Sequence, residues 1–253
     1  MTIKIDIARL EQDPVVQALK LECLKPDDLV NLVLQRSEVM FDAAKSGRVI
    51  RTWGKGELGP MQEVVERLGE TLARRAAGVI LQEYNDLAPL LRELAPQRVA
   101  DIGCGYAFFD LFLAKELKSH VVLIDLETNT QRHFGFQAEG AAYSSLACAK
   151  TLLCDNGVDA SQITTLNPTE TRPETIEPVD MVLSFLSCGF HYPVDLYLPF
   201  LEKALVPGGS AIFDLRKGSD EMQVAALQRL GAVTDIPASQ DKVRRVLLRK
   251  AAA

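Results

Sequence analysis

The stretch from Val99 to Glu127, VADIGCGYAFFDLFLAKELKSHVVLIDLE, decides the fold. Its apolar start predicts a buried strand over Arg98–Ile102, followed by a glycine turn, a helix over Phe108–Leu117 and a second strand over His120–Leu126. Gly103 and Gly105 let the backbone turn tightly and come close to a ligand. Asp125 falls near the end of the second strand, where a carboxylate can accept hydrogen bonds from both hydroxyls of a ribose. The unit reads as a site for an adenosine-containing ligand. A dinucleotide fingerprint needs a third glycine at position 108, where a pyrophosphate meets the helix start, and that position is Phe108.

The pattern present is Asp101-x-Gly103-x-Gly105-x-Ala107, with an acid ahead of the first glycine. It resembles motif I of class I S-adenosylmethionine-dependent methyltransferases, with alanine in place of the third glycine. The resemblance covers roughly residues 98–250. It implies an α/β, Rossmann-like fold: a mostly parallel seven-stranded sheet closed by a C-terminal antiparallel hairpin. It also implies S-adenosyl-L-methionine as methyl donor and S-adenosyl-L-homocysteine as product. LVPGG (205–209) resembles the family's turn before the fifth strand, and YSSLACAKTLLCDNGV and FLSCGFHYPVDLYL are loosely similar to bacterial sugar O-methyltransferases.

Working outward, strands are predicted at Ile163–Leu166, Val179–Phe185 and Ser210–Leu215, and helices at Glu139–Asn156, Val194–Ala204 and Ser219–Leu230. Ala232–Ile236 and Lys242–Leu248, separated by PASQD, read as the antiparallel pair. Residues 1–95 read as a helical extension ahead of a donor-binding domain over 96–253. One helix is expected from Pro26 to near Gly47 and a longer one from Gly59-Pro60 through Leu81, joined by the glycine-rich RVIRTWGKGELGP. Such an extension closes over one site in a monomer or packs against a second subunit in a homodimer.

By the resemblance, the cofactor contacts are Asp101, Gly103, Cys104, Gly105, Asp125, Leu126, Asn167 and Ser184. Asp101 either holds the methionine amino group or braces the glycine turn. Asp125 takes the ribose, with Glu127 as the alternative carboxylate. Asn167 occupies the slot where many family members place an acid for the adenine amine. The loop leaving the fourth strand lies beside the transferable methyl in the family. His191 there is the candidate general base, since an imidazole accepts a proton near neutral pH; the other reading is that it packs or caps the next helix. Tyr192 is a second catalytic candidate, Ser187 a substrate contact, and Cys188 a packing residue. Arg51 and Trp53 on the extension and His133 on the rim are further candidate substrate contacts.

No metal is expected. Catechol-type relatives bind magnesium through an Asp-Asn pair after the fifth strand, whereas Asp155-Asn156 precedes the third and Asp214 is followed by Leu215-Arg216. The net charge of −6 and pI near 5.2 argue against a nucleic-acid partner, and a small-molecule acceptor, a hydroxyl first of all, is expected; the alternatives are a nitrogen or sulfur acceptor, a macromolecular substrate, and a non-catalytic protein that binds the donor. The five cysteines form no CxxC pair, no long apolar run occurs, and MTIKIDIARLEQD lacks an apolar leader core, so a cytoplasmic protein without membrane contact is expected.

Overall fold

Hydrophobic runs too short for helices become the parallel strands of a sheet. In the computed structural model, which describes residues 6–43, 46–127 and 143–252, these are β1 (Arg98–Ile102), β2 (His120–Ile124), β3 (Ile163–Leu166) and β4 (Val179–Ser184). With β5 (Leu205–Arg216), β6 (Gly231–Ile236) and β7 (Val243–Lys250) they form one seven-stranded sheet in the order β3-β2-β1-β4-β5-β7-β6. β7 runs antiparallel to both β5 and β6, and the other pairings are parallel. Chain order reverses between β1 and β4, the place where open sheets of this kind leave a crevice beyond their carboxyl ends.

The helices are α1 (Ile7–Leu10), α2 (Pro14–Gln17), α3 (Pro26–Gln35), α4 (Ser46–Trp53), α5 (Gly59–Leu68), α6 (Glu70–Leu94), α7 (Phe108–Leu117), α8 (Leu146–Asp155), α9 (Leu198–Ala204) and α10 (Asp220–Gln228). Every residue of α7 from Phe108 to Ala114 is buried. A helix so apolar all round needs cover on both sides. The sheet supplies one side, and α6 of the N-terminal extension lies along the other.

Several boundaries differ from the sequence expectation. The helix from Pro26 stops at Gln35, and a 3-10 turn over Ser37–Met40 follows. Arg48–Trp53, read as part of a linker, is helical in α4. The long helix from Gly59 is broken at Gly69, whose φ of +50° and ψ of −130° no helix accommodates. β2 and β4 end at Ile124 and Ser184, before Leu126 and Phe185. β5 begins earlier, at Leu205, because that residue already pairs with Val179. Val194–Tyr197 is a 3-10 turn ahead of α9, and α10 is shorter at both ends. The helix expected over Glu139–Asn156 begins, among the described residues, only at Leu146 behind its N-cap Ser145 and ends at Asp155; positions 139–142 lie outside the described residues.

Candidate active site

A cleft opens at the β1/β4 switch point, lined by Asp101, Gly103, Cys104, Gly105, Asp125, Leu126, Ser187, His191 and Tyr192 among the expected residues. Gly103 and Gly105 have φ of +77° and +58°, and Ala107, where the family pattern has its third glycine, also sits at +57°. That left-handed conformation costs an alanine about 1–2 kcal/mol and explains the glycine of the pattern. The turn is tied to β2 through Asp125, whose Oδ2 accepts from the Gly105 N–H at 2.9 Å. Its Oδ1 accepts from the Glu127 N–H at 2.9 Å and the Ser144 hydroxyl at 2.6 Å. Burial still pushes the Asp125 carboxyl above its usual range against these bonds. Glu127, the alternative, is turned away to the Leu146 N–H at 3.0 Å and the Asn167 amide at 3.3 Å.

On the opposite rim the exit of β4 is pinned by Ser184, and this corrects its place in the site. The Ser184 hydroxyl is fully buried, donating to the Ile102 carbonyl at 2.8 Å and accepting from the Cys188 N–H at 2.9 Å, so it is spent on the fold beneath the cleft. Tyr192 and Ser187 share a hydrogen bond of 3.1 Å. Burial raises the Tyr192 phenol well above its normal range, so it stays a neutral hydroxyl. His191 donates its backbone N–H to the Ser187 carbonyl at 2.8 Å and stands edge-on to the Phe190 ring. Cys188 is fully buried and its thiol is raised to a protonated state by burial.

Asn167 lies apart from the cleft lining, because its carboxamide oxygen caps its own turn through the Thr169 N–H at 3.0 Å and hydroxyl at 2.8 Å. The acid near that position is Glu174, which the sequence reading missed. It lines a neighbouring cavity with Pro168, Pro173 and Phe200, and that cavity shares Leu126, Tyr192 and Tyr197 with the cleft. Glu174 Oε2 is buried and has no hydrogen-bond partner among the described residues, with the Arg172 Nε at 3.7 Å. A carboxylate seven residues beyond the expected slot, on the far side of two prolines, gives no local signal.

The extension supplies the far wall. Tyr106 in the glycine turn donates to Asp28 at 2.8 Å and accepts from Asn31 at 3.1 Å, both on α3, and Gln35 donates to the Tyr143 carbonyl. Arg36 and Glu83 line the cleft as a bidentate ion pair of 3.2 and 2.7 Å. Glu83 carried a local signal, a charge between Val79 and Leu87 on the buried face of α6; Arg36, at the non-helical cap after α3, carried none. Arg51 is exposed on α4 and does not line the cleft. Trp53 is buried behind the wall, its ring edge-on to Tyr143 at 5.6 Å. His133 lies outside the described residues. Asp214 is locked to Arg245 at 2.6 and 2.9 Å, and the Asn156 amide grips the Lys20 backbone at 2.9 Å in both directions. Among the described residues no three of His, Cys, Asp or Glu gather as a metal site, and no helix is long and apolar enough to cross a membrane.

No protein-family model and no curated protein sequence matches the chain. Solved structures do match. A candidate O-methyltransferase from Nostoc punctiforme, 16% identical, superposes with a TM-score of 0.50 over 71% of this chain and 59% of its own. The chain thus spans about three fifths of that protein's length. A candidate O-methyltransferase from Klebsiella pneumoniae is 16% identical over 68% of this chain and 80% of its own, with a TM-score of 0.47. The O-methyltransferase TomG from Streptomyces achromogenes, solved with S-adenosylmethionine, is 18% identical over 68% and 80%, with a TM-score of 0.46. Together with its strand order, the likeness to the Nostoc protein shows that this chain has the Rossmann-like fold of the class I methyltransferases.

Proposed function

We propose that the protein is a methyltransferase that uses S-adenosyl-L-methionine, releases S-adenosyl-L-homocysteine, and methylates a hydroxyl of a small molecule. The observation that carries this reading is the joining, at one switch point, of a side-chain-free turn (Gly103, Gly105) and two buried acids (Asp101, Asp125) with His191 on the facing rim. The residues fit the donor. It carries a sulfonium and an ammonium and no phosphate, and the one Arg among the described lining residues, Arg36, is taken by Glu83. When bound, the donor supplies an electrophilic methyl group.

Asp125 would accept from the ribose through the one lone pair left on its Oδ2, Leu126 and Tyr197 would flank the adenine, and Glu174 would accept from the adenine amine. Leu34, Ile80, Phe109 and Phe185 give the acceptor an apolar bed, and the two phenylalanine rings lie 4.6 Å apart. His191 takes the acceptor's proton as the oxygen attacks, and neutral Tyr192 orients that oxygen with Ser187. The N-terminal helices act as a lid over this end. A metal has no part in this scheme, and the acidic chain takes no nucleic acid.

Calorimetric titration with S-adenosylmethionine, S-adenosylhomocysteine and NAD tests the reading. Micromolar binding of the two sulfur ligands and none of NAD is expected, followed by a one-methyl mass gain in a screen of hydroxylated acceptors. Absence of sulfur-ligand binding overturns it in favour of an interaction protein built on the same scaffold.

A further inference from the structure

The extension meets the donor domain along a seam that carries two thiols. Cys23 stands just ahead of α3, and Cys148 lies in the first turn of α8. The Cys148 thiol donates to the Cys23 carbonyl oxygen, with 3.6 Å between sulfur and oxygen. The two thiols also touch each other, and that contact is the first influence on both: it holds Cys23 below its usual range and Cys148 above it. Both are free and only half-buried, whereas Cys188 is sealed in the core.

Hydrogen bonds set the register of this seam. Beyond the end of α8, the Asn156 carboxamide accepts from the Lys20 N–H and donates to the Lys20 carbonyl, both at 2.9 Å. The chain from Lys20 to Cys23 therefore runs along α8 toward its start, with Leu21 buried between the two anchor points. Lys25 is the nearby cation, and Asp28 and Asp155 are the nearby acids.

Each thiol sits beside an element that shapes the cleft. α3 begins beyond Cys23, gives Asp28 and Asn31 to the Tyr106 hydroxyl, and lays Gln35 against the glycine turn. The Gln35 Oε1 is 2.9 Å from the place of a β-carbon on Gly105. On the other side, Ser144 just ahead of α8 donates to Asp125, and the Leu146 N–H donates to Glu127. A covalent link from Cys23 to Cys148 joins the wall over the glycine turn to the element that holds the buried acid. Packing alone needs neither sulfur, since alanine or serine fills a half-open position without reactivity.

We propose that Cys23 and Cys148 form a redox-reactive pair that a low-molecular-weight disulfide closes into a reversible bridge, clamping the extension over the donor end of the cleft. The Cys23 thiolate attacks one sulfur of glutathione disulfide, and one glutathione thiolate leaves. Cys148 then gives up its proton, its sulfur attacks the Cys23 sulfur of the mixed disulfide, and the second glutathione thiolate leaves. The two leaving thiolates take up the two protons, so two protein thiols are oxidised and one disulfide is reduced. The bridge closes a loop between residues 125 apart and restrains α3 against α8. Formation of the bridge is independent of the donor reading; its effect on ligand exchange rests on that reading.

The test is oxidation of the folded full chain with glutathione disulfide, then trypsin digestion without reductant and mass spectrometry. Cleavage after Lys20 and Lys150 places Cys23, Cys148 and Cys154 on separate peptides. A joined Cys23–Cys148 peptide pair is expected, two hydrogens lighter than the sum of its parts and split by dithiothreitol. Cys154→Ser should keep the pair, and Cys23→Ser or Cys148→Ser should remove it. In stopped-flow, S-adenosylhomocysteine should leave the bridged protein several-fold more slowly than the reduced protein, with no effect of oxidant in Cys148→Ser. Glutathione adducts alone, or a bridge to Cys154 in place of Cys148, overturn the thiol pair. Equal release from the bridged and reduced proteins overturns the clamp. Failure of S-adenosylhomocysteine to bind either form overturns the donor reading and the exchange effect with it, while the joined peptides still decide the bridge.

Discussion

The hydroxyl of Ser187 stands 1.9 Å from the point that a β-carbon on Gly103 would occupy, so the exit of β4 closes directly over the glycine turn of β1. Two segments far apart in sequence thus share one wall of the cleft, and a hydrogen atom at Gly103 is what makes room for it.

Gly103→Ala is therefore expected to abolish binding of S-adenosylhomocysteine and to destabilise the fold by about 1–3 kcal/mol, since φ is +77° as well. Adding Ser187→Gly relieves the clash and leaves the backbone strain, so stability returns only in part. Urea denaturation of both variants measures this, and full recovery in the double variant would refute the strain.

Glu174 and Asn167 give opposed expectations. Glu174→Ala should weaken S-adenosylhomocysteine binding by about 1.5–3 kcal/mol, the value of a hydrogen bond to a charged group. Asn167→Ala, which alters an exposed turn, should leave binding within about 0.5 kcal/mol. The reverse ranking in calorimetry would return adenine recognition to Asn167.

His191→Ala should lower turnover about 10²–10⁴-fold once an acceptor is found, with donor affinity held. Single-turnover methyl transfer isolates the chemical step. A rate close to wild type there would make His191 a packing residue beside Phe190.

The buried Asp214–Arg245 pair joins β5 to β7, with the guanidinium 4.9 Å from the centre of the Phe185 ring. Arg245→Ala leaves a buried carboxylate alone and should cost about 3–5 kcal/mol in urea unfolding. The double change Asp214→Leu with Arg245→Met should cost much less than the sum of the single changes.

The stability of the ligand-free protein should fall as pH rises from about 5 to 8. Burial raises Asp110 to about 7 and Asp101 well above the usual carboxylate range, so the folded chain holds more protons than the unfolded chain in this window and loses them unfavourably as pH climbs; Asp125 and Asp214, raised by burial against their hydrogen bonds, act in the same direction. His120, lowered by burial, works the other way near its ordinary value. The acids lowered by partners, Asp42, Glu116 and Asp220, lose their stabilisation only below the usual carboxylate range. Thermal melts across the window check the slope, and Asp110→Asn should flatten it.

The sequence by itself determined the mostly parallel sheet and the glycine turn and acid that line its cleft. Those features are local: an apolar run, a glycine turn and an acid within one βαβ unit fix their geometry through backbone conformation alone, as Gly103, Gly105 and Asp125 illustrate. The breaks in the extension at Gln35 and Gly69 were not legible, because helix ends there depend on how α3 and α5 pack on each other and on α6. Only the tertiary structure decided that Ser184 and Asn167 serve the fold, that Arg51 stands apart from the cleft, and that Glu174, Arg36 and Glu83 face cavities. It alone set Cys148 against Cys23. Thiols 125 residues apart carry no shared period, and whether they meet depends on how the extension lies along α8.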